Sequence, residues 1–196
     1  MADVERTALK EWAVLVDAMA RGDIIAMVRK GGIREQRAGF DVRHDRFLLY
    51  PTFFHENTNH LAERFHPTLA ASHTRRPPAG FSRIAHFAEV LAVWNITDPS
   101  RLPSVAHEHG LAPEAVESRF HYRGKPNVRL VAVRTLALAD PVEIPEAPRY
   151  AGCVSWLELD MDIAVQGACP VVAEAEVQQR LARLHVLLGN AERESP

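Results

Sequence analysis

The amino-acid sequence predicts an α+β fold, a mixed small β-barrel or curved sheet with flanking helices and a C-terminal helix. Two observations carry this prediction. Apolar residues recur at helical spacing near both ends of the chain. Short runs rich in β-branched and aromatic residues lie between them, at residues 24–29, 47–50, 88–96 and 128–138.

The N-terminal third of the chain is predicted to form a helix followed by two strands. Apolar side chains recur every three or four residues over residues 7–20, which predicts a helix; a hairpin over residues 13–28 is the competing interpretation. Residues 24–29 form a short β-rich run. Residues 47–50 form a buried strand that Pro51 stops, because proline cannot donate to a strand ladder.

The middle of the chain is predicted to combine helices with one strand. Residues 60–72 have helical spacing that Pro67 disturbs, and residues 88–96 form a strand. Two short helices follow, and Pro113 stands at the first turn of the second one, where a missing N–H is tolerated. These helices are predicted near residues 101–109 and 113–120.

The C-terminal part is predicted to contain the longest strand and a terminal helix. Residues 128–138 alternate in polarity as a strand does, and prolines punctuate residues 141–148. Residues 152–157 turn into a last strand or a short helix, and a helix begins at Pro170.

An apolar stripe at heptad-like spacing marks this last helix, at Val177, Leu181, Leu184 and Leu188. The stripe predicts either a face docked on the chain's own core or the seam of a homo-oligomer. We accordingly divide the chain into a single α+β domain, residues 1–165, and a C-terminal helical extension docked on it, residues 166–196.

Composition indicates an ordinary globular protein. Hydrophobic residues make up 47% and charged residues 24% of the chain, and no apolar run is long enough to span a bilayer. The N-terminus is acidic and lacks the apolar core of a signal peptide. Cys153 and Cys169 are too few for a disulfide scaffold. We therefore predict a cytoplasmic protein with no membrane partner.

The net charge of −2 conceals a local basic excess. Residues 1–134 carry 19 basic and 15 acidic groups, whereas residues 135–196 carry 4 basic and 10 acidic groups. All but three of the basic residues are arginines, whose planar fork suits phosphate and stacks on bases. This bias favours a nucleic-acid partner, although a GC-rich genome would produce it as well, and the overall charge is not that of a dedicated binder.

Two predicted strand ends carry the densest polar signal in the chain. The first is basic and rich in glycine, and the second combines an aromatic ring, a hydroxyl and an imidazole. Backbone N–H groups, guanidinium groups and an imidazole on one rim suit an anionic or base-like ligand. The candidate ligand-binding residues are Arg29, Lys30, Gly31, Gly32, Arg34, Tyr50, Thr52 and His55.

No motif in the sequence specifies a reaction. The chain has neither GxxxxGK[ST] nor GxGxxG, and no lysine stands two residues after an Asp or Glu, as a Mrr-type nuclease would require. The histidine spacings match no zinc pattern, so no metal and no cofactor are predicted. His44 and His55 flank the strand at residues 47–50 and are the candidate acid–base pair; whether the protein is an enzyme is left open.

Three segments, ALKEWAVLVDAMARGDIIAMVRKGGIRE, FLLYPTFFHE and RYAGCVSWLELD, resemble an uncharacterised bacterial family defined by a domain of unknown function, DUF1802. The resemblance covers most of residues 8–160. Members of that family are associated with Mrr-type restriction endonuclease domains, which implies a DNA-modification or defence setting. A chain of 196 residues has no room for an added nuclease domain, so DNA cleavage by this chain alone is not expected.

The segment VDAMARGDIIAMVRK is also similar to the opening of PUA-like and ASCH-type domains. Those domains are small β-barrels that hold RNA or modified DNA bases in a pocket between loops. The resemblance implies that Arg29, Lys30, Arg34, Tyr50, Thr52 and His55 lie near the mouth of such a pocket.

Three functional hypotheses follow. The preferred one is a nucleic-acid or nucleotide recognition module in a DNA-modification or defence setting. The first alternative is a small hydrolase or nuclease that uses His44 and His55 with nearby carboxylates. The second alternative is a structural or interaction protein that self-associates through its C-terminal helix.

Overall fold

The computed structural model describes residues 3–30, 42, 44–152 and 154–194. Within these residues, eight strands and four α-helices follow one another along the chain. The strands are β1 (Val4–Trp12), β2 (Ala26–Arg29), β3 (Arg46–Thr52), β4 (Phe81–Ile96), β5 (Val128–Pro145), β6 (Trp156–Ala164), β7 (Cys169–Pro170) and β8 (Arg193–Glu194). The helices are α1 (Ala13–Ala20), α2 (His66–Thr74), α3 (Pro113–His121) and α4 (Glu174–Leu188).

The strands form one mixed, open and curved sheet in the order β2-β5-β4-β3-β1-β6, with β7 added to β5 and β8 added to β4. β1 and β3 pair in parallel, and the other named pairs are antiparallel. The predicted α+β class with a curved sheet, flanking helices and a C-terminal helix is therefore confirmed.

Both faces of the sheet are buried, which explains the continuous apolar run at residues 47–50. Phe47 and Leu49 belong to the core cluster that packs against the helices, whereas Leu48 and Tyr50 belong to a second cluster on the other face. Successive side chains of a strand point to opposite faces, so a strand covered on both sides reads as uniformly apolar. The second cluster also contains Leu157 and other residues of β6.

The prediction of a helix over residues 7–20 was half wrong. Val4–Trp12 is strand β1, and the helix occupies Ala13–Ala20 alone. β1 is held between β3 and β6, with Ala8 opposite Leu48 in the parallel ladder. Such pairing between distant segments is invisible to a local count of apolar spacing.

Several other boundaries also differ from the prediction. β3 continues through Pro51, which stands opposite Glu11 in the parallel ladder. β5 continues through Pro141. The register with β4 shifts between Ile84 and His86, so that stretch of β5 lies outside the regular ladder and needs no N–H from the proline. The segment predicted as a helix over residues 60–72 contains two 3-10 turns, and α2 begins beside Pro67.

The C-terminal helix begins at Glu174 and docks on the main core. Leu184 and Leu188 are buried in the cluster beneath the helices, and Val177 is also buried. The domain boundary at residue 165 stays a prediction. Among the described residues, no helix is both long enough and apolar enough to cross a membrane.

Gly110 lies at the corner between a 3-10 turn, Pro103–Glu108, and α3. Its φ is +70°, and a Cβ there would lie 2.8 Å from Leu15 Cδ2 and 3.0 Å from Phe65 Cε2. We expect Gly110→Ala to lower the free energy of unfolding by about 2–4 kcal/mol, from left-handed strain and overpacking together. Urea denaturation measures this change.

Gly124→Ala is the matched control, because Gly124 has φ +65° but no atom within 4 Å of the added Cβ. Gly124→Ala should lower the free energy of unfolding only by the cost of left-handed strain, about 1–2 kcal/mol. Equal losses in the two variants would show that the corner has room for a methyl group.

Candidate functional site

The main cleft of the protein lies where the parallel strands β1 and β3 end. In their ladder Lys10 stands opposite Tyr50 and Trp12 stands opposite Thr52, so the carboxyl ends of both strands reach one edge of the sheet. The cleft has a volume of about 510 Å³. Its other walls are the segment that follows β3, the loop between β5 and β6, and the end of β2.

Four of the predicted ligand-binding residues line this cleft: Arg29, Tyr50, Thr52 and His55. Lys30 does not line it. The Lys30 ammonium donates to the carbonyl oxygens of Phe120, Lys125 and Asn127, and burial lowers its pKa. Gly31, Gly32 and Arg34 lie outside the described residues.

A buried carboxylate supports the back of the cleft. Glu11 is 4% exposed and accepts a hydrogen bond of 3.0 Å from Arg29 Nη1, which also donates to the Lys10 carbonyl. Arg119 of α3 lies over the Trp12 ring at 5.3 Å and donates to the Val28 carbonyl. Burial lowers the pKa of Arg119, and the Glu11 charge opposes that shift.

Two polar residues of the wall, Tyr50 and Glu146, are linked through Ser82, which does not itself line the cleft. Ser82 Oγ lies 2.8 Å from Tyr50 Oη and 3.3 Å from Glu146 Oε1, and its single proton serves one of them at a time. Burial raises the pKa of Tyr50, so its hydroxyl keeps its proton at neutral pH. Hydroxyl and carboxylate groups here offer both a donor and acceptors to a ligand.

Aromatic rings and a guanidinium form the outer rim. Arg76 lies over the Phe53 ring at 5.0 Å and over the Phe54 ring at 6.0 Å. The Phe54 residue is 68% exposed, which is uncommon for a phenylalanine. His60 stacks on Trp12 in nearly parallel planes, with ring centroids 6.0 Å apart. The rim therefore presents flat surfaces beside a cation.

The segment after β3 is anchored to α1 through Glu56. One Glu56 oxygen accepts from the N–H of Val14 in the first turn of α1, and the other lies 2.5 Å from His73 Nε2. The contact between Glu56 and Val14 satisfies a helix N–H that has no partner within the helix. His55 immediately before it has φ 64°, an unusual conformation for a residue with a side chain. Such conformations are held by their surroundings and concentrate at functional sites.

The candidate acid–base pair is not brought together. His44 packs edge-on against Trp156, with ring centroids 5.0 Å apart, and does not line the cleft that contains His55. Over residues 3–30, 42, 44–152 and 154–194, no group of three His, Cys, Asp or Glu residues is arranged to hold a metal ion. Cys153 lies outside the described residues, and Cys169 is an exposed free thiol.

The residues that sequence reasoning missed come from two sources. Lys10 and Trp12 were assigned to a helix, and their place in the cleft follows from the parallel pairing of β1 with β3. Arg76 lies between the predicted elements and had no predicted role. Phe53 and Phe54 follow the predicted strand at residues 47–50 and also line the cleft. Two adjacent phenylalanines beside a polar turn were the available signal.

The chain matches the model of one protein family, the domain of unknown function DUF1802, over residues 8–183. No curated protein sequence matches it. Among solved structures it is similar to the ASCH protein of Zymomonas mobilis, at 14% identity over 91% of this chain and 94% of that one, with a TM-score of 0.41. Two point variants of that protein also match. The serine-to-alanine variant is 13% identical over 94% of this chain and 99% of that one, with a TM-score of 0.44. The tyrosine-to-phenylalanine variant is 12% identical over 90% of this chain and 96% of that one, with a TM-score of 0.46.

Proposed function

The chain belongs to the DUF1802 family, and from that premise we propose that it is a nucleic-acid or nucleotide recognition module that holds one unstacked base in the main cleft. The observation that carries the proposal is the rim, where Arg76 lies over two phenylalanine rings at the mouth of a cationic cleft. Aromatic faces beside guanidinium groups are the usual means of holding single bases.

The charge of the cleft supports an anionic ligand. Three basic residues, Lys10, Arg29 and Arg76, line it together with one acidic residue, Glu146. Arg29 and Lys10 already make hydrogen bonds within the protein, so Arg76 is the rim cation that we assign to phosphate. A ligand that stacks on Phe54 would also cover an exposed apolar surface.

The polar wall gives this site a means of distinguishing bases. The Tyr50 hydroxyl and the Glu146 carboxylate flank Ser82, and both residues line the cleft. A carboxylate accepts from an amino group of a base, and a hydroxyl can serve either role. We therefore expect preference among bases as well as affinity for phosphate.

The test measures binding of fluorescein-labelled single-stranded RNA, single-stranded DNA and duplex DNA by anisotropy at 50 and 200 mM salt. We expect the single strands to bind more tightly at 50 mM salt than at 200 mM salt, because phosphate contacts release counterions. Arg76→Ala should weaken binding about tenfold, since a charge-assisted contact and a stacked guanidinium are lost together.

Arg75→Ala is the matched control, because Arg75 is adjacent, carries the same charge and pairs with Asp17 outside the cleft. Equal losses of affinity in the two variants would mean that only net charge matters, and would contradict binding of the ligand in this cleft. Absence of binding to all three probes at 50 mM salt would refute the proposed function.

Finer parts of the proposal need their own measurements. The DNA-modification or defence setting and the cytoplasmic location rest on sequence reasoning, and gene neighbourhood and fractionation test them. A homo-oligomer through α4 would have to use surfaces other than Leu184 and Leu188, which face the chain's own core. The mass of the protein in solution tests that.

A further inference from the structure

A second cleft lies between α3 and the 3-10 turn Pro103–Glu108. It has a volume of about 390 Å³ and shares no lining residue with the main cleft. Its walls are mainly apolar, and they include Leu111, Val116 and Phe120. The proposed recognition of nucleic acid makes no use of this cavity, whose volume is within the range of small-molecule sites.

His109 lines this cleft and is the polar residue that distinguishes it. The residue is 2% exposed, and its Nδ1 accepts a hydrogen bond of 3.2 Å from the Leu111 N–H. An acceptor Nδ1 on a neutral ring requires the proton to be on Nε2. That Nε2 is buried and has no hydrogen-bond partner in the part of the chain that the structure describes.

The ring is neutral under ordinary conditions. Burial, helped by the positive charges of Arg119, Arg64 and His107, lowers the pKa of His109 to about 4. The Nε2–H is therefore a donor on a neutral ring, and a buried donor without an acceptor is unfavourable. Nε2 itself is not accessible from the cleft, so a ligand oxygen that satisfies it has to displace part of the cleft wall.

We propose that this cleft binds an uncharged, mainly apolar small molecule through one carbonyl-type oxygen that accepts a hydrogen bond from His109 Nε2. The apolar walls provide most of the contact area. Besides His109, the ionisable residues that line the wall are Glu117 and His121, both exposed. A carboxylate ligand would approach Glu117 and lose its hydration in an apolar cleft, so a neutral carbonyl is the better match.

The experiment compares two probes of similar size on the intact chain. Acetophenone carries the carbonyl oxygen, and ethylbenzene lacks it. Titrations are followed by the methyl NMR signals of Leu111 and Val116. We expect acetophenone to bind about tenfold more tightly than ethylbenzene, which corresponds to one net hydrogen bond.

Two variants test the assignment to His109. His109→Phe removes the donor, so acetophenone and ethylbenzene should bind equally. His109→Gln retains an N–H group at a similar reach and should keep the preference for acetophenone. Phenylalanine also removes the acceptor for the Leu111 N–H, whereas the amide oxygen of glutamine can still supply one.

Three results would overturn the proposal: equal binding of the two probes to the unmodified protein, an unchanged preference in His109→Phe, or no binding of either probe at millimolar concentration. The comparison of probes on the unmodified protein needs no variant, so a folding defect in His109→Phe leaves the test intact.

Discussion

Glu11→Ala should lower the free energy of unfolding by about 3–5 kcal/mol, the typical loss when one partner of a buried ion pair is removed. Glu11 is nearly inaccessible, and its partner Arg29 is only 11% exposed on its side chain. Without the carboxylate, the guanidinium groups of Arg29 and Arg119 would lose the buried negative charge that lies beside them. Urea denaturation at neutral pH measures the loss.

Two further variants separate charge from shape. Glu11→Gln keeps an acceptor oxygen for Arg29 but removes the charge, so we expect a smaller loss than for alanine. Glu158→Ala is the surface control, because Glu158 also faces an arginine, Arg6, but its side chain is 70% exposed. Its removal should cost less than about 1 kcal/mol. A loss for Glu11→Ala no larger than that of the control would refute a buried ion pair behind the cleft.

Elements whose local sequence pattern agrees with their burial were predictable from the sequence. The strands at residues 47–50 and 128–138 lie in the middle of the sheet, where apolar side chains are needed on both faces. α3 was predictable because Pro113 marks its first turn. In these segments, local pattern and tertiary environment require the same residues.

β1 was not predictable by the same means. Its residues include Glu11, which a helix would have left in solvent and which the structure buries at 4% exposure. The buried carboxylate is stabilised there by positive charge from Arg29, 18 positions away, and Arg119, 108 positions away. No spacing rule within residues 4–12 contains that information.

The candidate site was predictable only in part for the same reason. Tyr50, Thr52 and His55 lie at or just after the end of one strand and were found from the polar turn that ends it. Lys10 and Trp12 enter the cleft through the parallel register of β1 with β3, which is a long-range contact. Lys30 had the expected chemistry, but its ammonium bonds to backbone carbonyls beyond α3.

A second large effect is expected where α4 meets the body of the protein. The Arg180 guanidinium lies 2.5 Å from Glu108 Oε2, and the two side chains are 13% and 2% exposed. The same guanidinium donates to the carbonyl oxygens of Gly22 and Asp23, so it joins three separate segments. We expect Glu108→Ala and Arg180→Ala each to lower the free energy of unfolding by about 3–5 kcal/mol.

The two single losses should not add, because each variant removes the shortest ionic contact of the other buried charge. Replacing both residues by leucine removes both charges, and the double variant should unfold with a smaller loss than either single leucine variant. Arg183→Ala is the control on the same helix, because Arg183 is exposed; its effect should stay within about 0.5 kcal/mol. Additive losses in the Glu108 and Arg180 cycle would show that the pair is not coupled.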